Sequence, residues 1–276
     1  MSKTIFVLLD ACGYEIATEY LGYLEHMADY GLAAKYRVRG ELPSMSRPMY
    51  ETLLTGVPSH VHGITCNEVV RRSSQENIFS MCKKAGLTTG GAVYFWLSEL
   101  YNKAPFNKHT DRIQFGRNDG GLIDYGMFYW EDTYPDSHIF QDGEFIRKTY
   151  APDFMMYHPM NIDLAGHNFG ADSKEYAWKV ADDGCFIADL MQEWLADGYQ
   201  VVVTADHGMD TKGIHCGIAD LQRDVPLYIC SPRVENGHFE DHSISQLNIA
   251  PMLCRLLGLP AGDAMIEMEE IKLKAD

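Results

Sequence analysis

Apolar positions along the chain follow two rhythms. Short unbroken runs are bounded by polar residues or glycine, and longer stretches repeat apolar residues every three or four positions. The runs read as strands buried on both faces: Thr4 to Asp10 (TIFVLLD), Gly91 to Trp96 (GAVYFW), Asp153 to His158 (DFMMYH), Gln200 to Asp206 (QVVVTAD) and Val225 to Cys230. The periodic stretches read as helices: Tyr14 to Tyr30, Asn77 to Ala85 before Gly86, Ser173 to Ala196 before Gly198, and Ile244 to Leu257 before Gly258. Continuous Val/Ile/Leu strands between helices predict an α/β fold: a three-layer sandwich with a mostly parallel central sheet covered on both faces.

The segment from Tyr101 to Pro135 follows neither rhythm. It is rich in Asn, Gly, Asp and aromatic residues, and it reads as an insertion or small cap over a site. With 276 residues and 46% hydrophobic content, the remainder suits one catalytic domain spanning 1–276. A net charge of −16 argues against a nucleic-acid backbone as partner, because such binders present basic stripes. It leaves room for a small anionic substrate held by metal ions. No apolar run reaches the roughly 18 residues a membrane helix needs, so no membrane partner is expected and a cytoplasmic location is. Seven widely spaced cysteines without a CxxC pair read as free thiols. Oligomeric state is not legible.

In open parallel sheets ligands bind beyond the carboxyl ends of strands. Three such ends carry metal-ligand residue types. Asp10 closes the first strand, Asp206 and His207 close VVVTA, and Asp163 and His167 follow DFMMYH. His215 lies eight residues after His207 in the Gly-flanked loop KGIHCG. Each alone has a plainer reading, such as a helix cap for Asp10. Together they are carboxylates and imidazoles that suit zinc, manganese or iron, in numbers that could hold two ions about 4 Å apart. Ser46 stands in a Pro-bounded loop before an apolar helical stretch. A serine there caps a helix, or attacks an anion that the free N–H groups attract.

The motifs LLDACG, S-x-P…LLTGVPSHVHGI, D-x-x-G-H-x-x-G, TADHGM and IHCG resemble, over nearly the whole chain, the alkaline phosphatase superfamily. Within it they are most similar to the type I phosphodiesterase/nucleotide pyrophosphatase branch. The resemblance implies an alkaline-phosphatase-like fold and two divalent ions, with zinc the first expectation and manganese the next. It implies that Asp163, His167 and His215 hold one ion, and that Asp10, Asp206, His207 and the Ser46 oxygen hold the other. It also implies Ser46 as nucleophile of a two-metal phosphoric ester hydrolase, and Asn67, twenty-one residues on, as a ligand of a phosphoryl oxygen. The expected partner is a small phosphate ester.

Departures from the branch keep other readings open. The branch usually has threonine as nucleophile, and an asparagine where Met49 follows Pro48. His238 and His242 compete with His215 as third histidine. A sulfatase-like enzyme would carry arginine at position 50, which is Tyr50. A phosphomonoesterase needs an added cation, for which Arg47, Arg71, Arg72, Arg112 and Arg117 are candidates. A non-catalytic metal-binding protein would have lost the nucleophile or a ligand. Tyr94, Phe95, Trp96, Phe128, Tyr129 and Trp130 could stack on a base or pack the core.

Overall fold

A computed structural model describes residues 2–116, 120–268 and 270–274. Nine strands form one sheet: β1 (Lys3–Leu9), β2 (Ala34–Arg39), β3 (Thr89–Tyr94), β4 (Ile113–Phe115), β5 (Tyr125–Tyr129), β6 (Phe154–Tyr157), β7 (Tyr199–Ala205), β8 (Asp224–Cys230) and β9 (Gly237–Ser245). Their order is β4-β5-β3-β6-β1-β7-β8-β2-β9. All neighbours pair parallel except β4–β5, β7–β8 and β8–β2, so the expected mostly parallel α/β sandwich is what forms.

The central strands explain themselves physically. Ile5 through Leu9 in β1 and Val201 through Val203 in β7 are withdrawn from water on both faces. Burying each such aliphatic side chain stabilises by about 1.5–3 kcal/mol. One set of helices packs together over one side: Tyr14–Tyr20, Gly22–Asp29, Asp136–Tyr150, Asn161–Phe169 and Lys174–Ala196. A second set, Ser46–Thr55, Ile78–Lys84, Phe95–Tyr101 and Ile249–Leu257, packs over the other.

Three expectations are corrected. The single helix from Tyr14 to Tyr30 is two, broken at Leu21, whose ψ of 50° leaves the helical region. The helix expected from Ile244 begins at Ile249, because β9 continues through Ser245 and a 3₁₀ turn intervenes. The strand expected to reach Trp96 ends at Tyr94, and Phe95 opens a helix. The segment Tyr101–Pro135, read as an insertion or small cap, contains β4 and β5 of the main sheet.

The arrangement sets the site. The strands β6, β1 and β7 are adjacent and parallel, so their carboxyl ends share one edge. Leu9 pairs with Ala205, which puts Asp10 beside Asp206. Val7 pairs with Tyr157, which brings His158 to the same edge.

Candidate metal centre and active site

The six ligand-type residues gather into two clusters, Asp10/Asp206/His207 and Asp163/His167/His215. Within each, the ligand atoms lie within 4.8 Å of one another. His238 is bonded to Asp29 and Glu240 on β9, and neither it nor His242 joins a cluster. Of the three candidate histidines, His215 is the one that joins Asp163 and His167 among the described residues.

Local structure holds each side chain. Ala11 adopts a φ of 60°, which turns its N–H to Oδ1 of Asp206 at 3.0 Å. Gly208 follows the Asp-His pair because a Cβ there would lie 2.1 Å from the Leu221 carbonyl oxygen. Gly213, with a φ of +73°, presents its carbonyl to Nδ1 of His167 at 2.8 Å. Asp163 and His167 stand four residues apart on helix Asn161–Phe169 and so share one face.

The hydrogen bonds assign the tautomers. Nδ1 of His167, His207 and His215 donates to the carbonyl of Gly213, Gly208 and Ser44 respectively. Each Nε2 is then a bare lone pair facing the cluster. Nε2 of His207 is 3.2 Å from Oδ2 of Asp206 and 3.7 Å from Oδ1 of Asp10. Nε2 of His167 and His215 approach to 3.1 Å, two lone pairs facing each other. Among the described residues no group bonds Oδ1 of Asp10, Oδ1 of Asp163 or Oδ2 of Asp206, all of them buried. Buried acceptors without donors are costly. A shared divalent cation resolves every one of these contacts. Two imidazole nitrogens on one tetrahedral zinc stand about 3.3 Å apart, close to the spacing seen. The donor set fits two such ions.

The electrostatics agree. Burial pushes the Asp10 carboxyl up to about 7, and it pushes Asp163 and Asp206 well above the usual carboxylate range, with the neighbouring carboxylates adding to the rise. Burial also holds His207 well below its ordinary value and His215 at about 4. Without cations, burial favours the neutral form of these carboxylates and of His207 and His215.

Ser46 opens helix Ser46–Thr55, with Oγ 3.1 Å from Nε2 of His207. The N-cap residue Met45 makes no side-chain cap, and Asn67 Oδ1 accepts from the Arg47 N–H at 3.0 Å instead. Asn67 therefore stands beside the serine, its amide NH₂ on the same group. The candidate arginines are engaged elsewhere. Arg47 pairs with Glu99 at 2.7 Å and lies over Trp96. Arg71 and Arg72 donate to backbone carbonyls, and Arg112 donates to Tyr134. Arg117 lies outside the described residues. Of the aromatics, Tyr94, Phe128 and Tyr129 are core, while Phe95, Trp96 and Trp130 are half-buried.

Two residues of the site escaped the sequence reading. The Tyr50 hydroxyl and His158 Nε2, the latter at 3.1 Å, both reach Oδ2 of Asp10. His158 carried a usable signal, since it closes a buried strand just as Asp10 does.

The sequence model of the family described as type I phosphodiesterase / nucleotide pyrophosphatase matches residues 4–215. The chain belongs to this family. It is 32% identical over 97% of its length to the human GPI ethanolamine phosphate transferase 3, catalytic subunit, and 31% identical over 97% to the mouse protein. It spans about a quarter of these curated relatives, 26% of each. The fold matches human ectonucleotide pyrophosphatase/phosphodiesterase 5 with a TM-score of 0.73 at 12% identity, covering 98% of this chain and 100% of that one. It matches a phosphonate monoester hydrolase from Silicibacter pomeroyi with a TM-score of 0.63 at 14% identity, covering 96% and 74%. The fold is thus alkaline-phosphatase-like. The transferase names overturn the cytoplasmic expectation, because GPI is a lipid-linked glycan and a GPI transferase works where that lipid is. They also give no support to the expected lack of a membrane partner. No helix among the described residues is long and apolar enough to cross a membrane.

Proposed function

We propose that this family member cleaves phosphodiesters with Ser46 as nucleophile and passes through a phosphoseryl intermediate. The observation that carries the reading is the position of Ser46. Its oxygen sits at a helix start, 3.1 Å from a bare imidazole nitrogen, where two sets of unpartnered carboxylate oxygens and imidazoles converge. Divalent ions held by Asp10/Asp206/His207 and Asp163/His167/His215 would supply Lewis-acid stabilisation and a lowered pKa for the serine hydroxyl. Zinc is the first candidate and manganese the second.

The chain's own residues account for the rest. The helix start draws the phosphoryl group toward Ser46. Ser46 Oγ bonds to phosphorus as the bond to the leaving oxygen breaks; the proton of the serine passes to solvent, and the leaving alkoxide takes a proton from solvent. Asn67, its oxygen fixed by the Arg47 N–H, presents its NH₂ to a non-bridging oxygen. A second hydroxyl group then displaces Ser46 from phosphorus.

That hydroxyl is water in a hydrolase and an alcohol in a transferase. The transferase relatives favour the second case, with ethanolamine phosphate as the group moved. Neither reading needs a free arginine at the phosphoryl group, as a monoesterase would.

The test is hydrolysis of bis-p-nitrophenyl phosphate, p-nitrophenyl phosphate and p-nitrophenyl sulfate by zinc- or manganese-loaded protein, with and without chelator. Chelator-sensitive activity highest on the diester, lost in Ser46→Ala with both ions retained, is the expected result. Unchanged turnover in Ser46→Ala rules out the nucleophile. Preference for the monoester or the sulfate rules out the diester. Adding glycerol separates the two acceptor readings: a transferase yields the glycerol diester at the expense of the monoester.

A further inference from the structure

Asp10 differs from the other carboxylates in how it is held. Its Oδ2 takes two side-chain hydrogen bonds, from the Tyr50 hydroxyl and from His158 Nε2 at 3.1 Å. Its Oδ1 is buried and has no partner among the described residues. The Tyr94 backbone N–H donates to Nδ1 of His158 at 3.4 Å, so the imidazole proton resides on Nε2 and points at Asp10. The His158 ring packs edge-on against Tyr50, with ring centroids 4.7 Å apart, which fixes both donors relative to each other.

Tyr50 also lies four residues after Ser46 on the same helix, so both side chains project from one face. That helix therefore contributes the attacking oxygen and, one turn on, the donor that fixes Asp10.

We propose that Tyr50 and His158 are positioning residues. They occupy one oxygen of Asp10 so that it offers the other to an ion as a one-oxygen ligand, and they lock the nucleophile's helix to that ligand. The inference rests on the two-ion reading above. Outer partners of metal ligands fix orientation and basicity, and their loss typically costs about 10- to 100-fold in affinity. Among the described residues no hydrogen bond or ring contact joins either residue to Asp163, His167 or His215, so that cluster serves as an internal control.

The experiment is a cobalt(II) titration of wild type, Tyr50→Phe and His158→Gln, followed by visible absorption and by competition with a chromophoric chelator. Wild type should bind two ions. Tyr50→Phe should keep one class of site at wild-type affinity and weaken the other about 10- to 100-fold. His158→Gln, whose amide can still donate to Asp10, should fall between the two. Wild-type affinity at both sites in both variants overturns the clamp. So does equal weakening of both sites together with a lower melting temperature, which would make Tyr50 a packing residue. A wild-type protein that binds no ion overturns the two-ion reading itself, a failure distinct from the others.

Discussion

The two ligand clusters use nearly the same side chains in opposite surroundings. Asp10, Asp206 and His207 have no side-chain exposure at all. In the other cluster the His167 side chain is 44% exposed and Asp163 13%. The inner set is held by strand ends, by the Ala11 N–H, and by Tyr50 and His158. The outer set rests on one helix and one loop, Asn161–Phe169 and the turn through Gly213 and His215. An ion in the inner cluster would be shielded from solvent and would act on Ser46. An ion in the outer cluster would exchange with solvent and face the incoming substrate.

Asp206→Asn should have the largest effect. The bare oxygen facing His207 is lost, and with it the inner ion. Turnover should fall by about a thousandfold or more, several kcal/mol of barrier. Stability should move the other way. In the folded protein without ions the Asp206 carboxyl is raised by burial, then by Asp10. Such a group favours folding while protonated and loses that contribution as pH climbs above its ordinary value of 3.8. In chelator at pH 8, Asp206→Asn should therefore melt higher than wild type. A variant that is inactive and also less stable in chelator would show that Asp206 is structural.

His167→Ala probes the open cluster. Its effect should be smaller, about 10- to 100-fold in activity at micromolar metal, and it should recover as metal is raised, because binding there follows mass action from solvent. Asp206→Asn should not recover. If excess metal rescues both variants equally, or neither, the contrast between a closed and an open cluster fails.

The same contrast marks what the sequence could show. Asp10, Asp206 and His207 were legible because β1 and β7 are uninterrupted apolar runs whose ends announce themselves. Ser46 was legible as a helix start. β2 was not: AKYRVR alternates, and its Lys35, Arg37 and Arg39 pair with Glu25, Asp224 and Asp220 across a surface that a strand pattern alone does not reveal. β9, GHFEDHSIS, is an edge strand paired on one side only, so it is free to be polar. The strands β4 and β5 were hidden in a stretch whose apolar residues are mostly aromatic and separated by Gly and Asp. Tyr50 was read as a missing arginine. Its role depends on Asp10, forty residues away in sequence, and no local pattern carries that contact.

The smallest predicted effect concerns what supports the outer cluster. Asp136 Oδ1 accepts the Met160 and Asn161 N–H groups at 3.1 and 3.2 Å, where helix Asn161–Phe169 begins. Its partner is Asp183, fully buried on helix Lys174–Ala196. Burial pushes Asp136 up to about 6 and Asp183 well above the carboxylate range, the latter further by Asp136. One proton shared between them is the stable arrangement. The pair favours folding fully below 3.8 and loses that contribution as pH rises through about 6. Asp183→Asn keeps the shape, removes one charge and offers an N–H to Oδ2 of Asp136, which has no partner in a fully ionised pair. It should leave the melting temperature unchanged at pH 4 and raise it at pH 8 by about 2–4 °C, roughly 1 kcal/mol. Both ions should stay in place. An equal rise at both pH values would assign the gain to packing, and a fall at pH 8 would mean that the charge on Asp183 is wanted in the folded state.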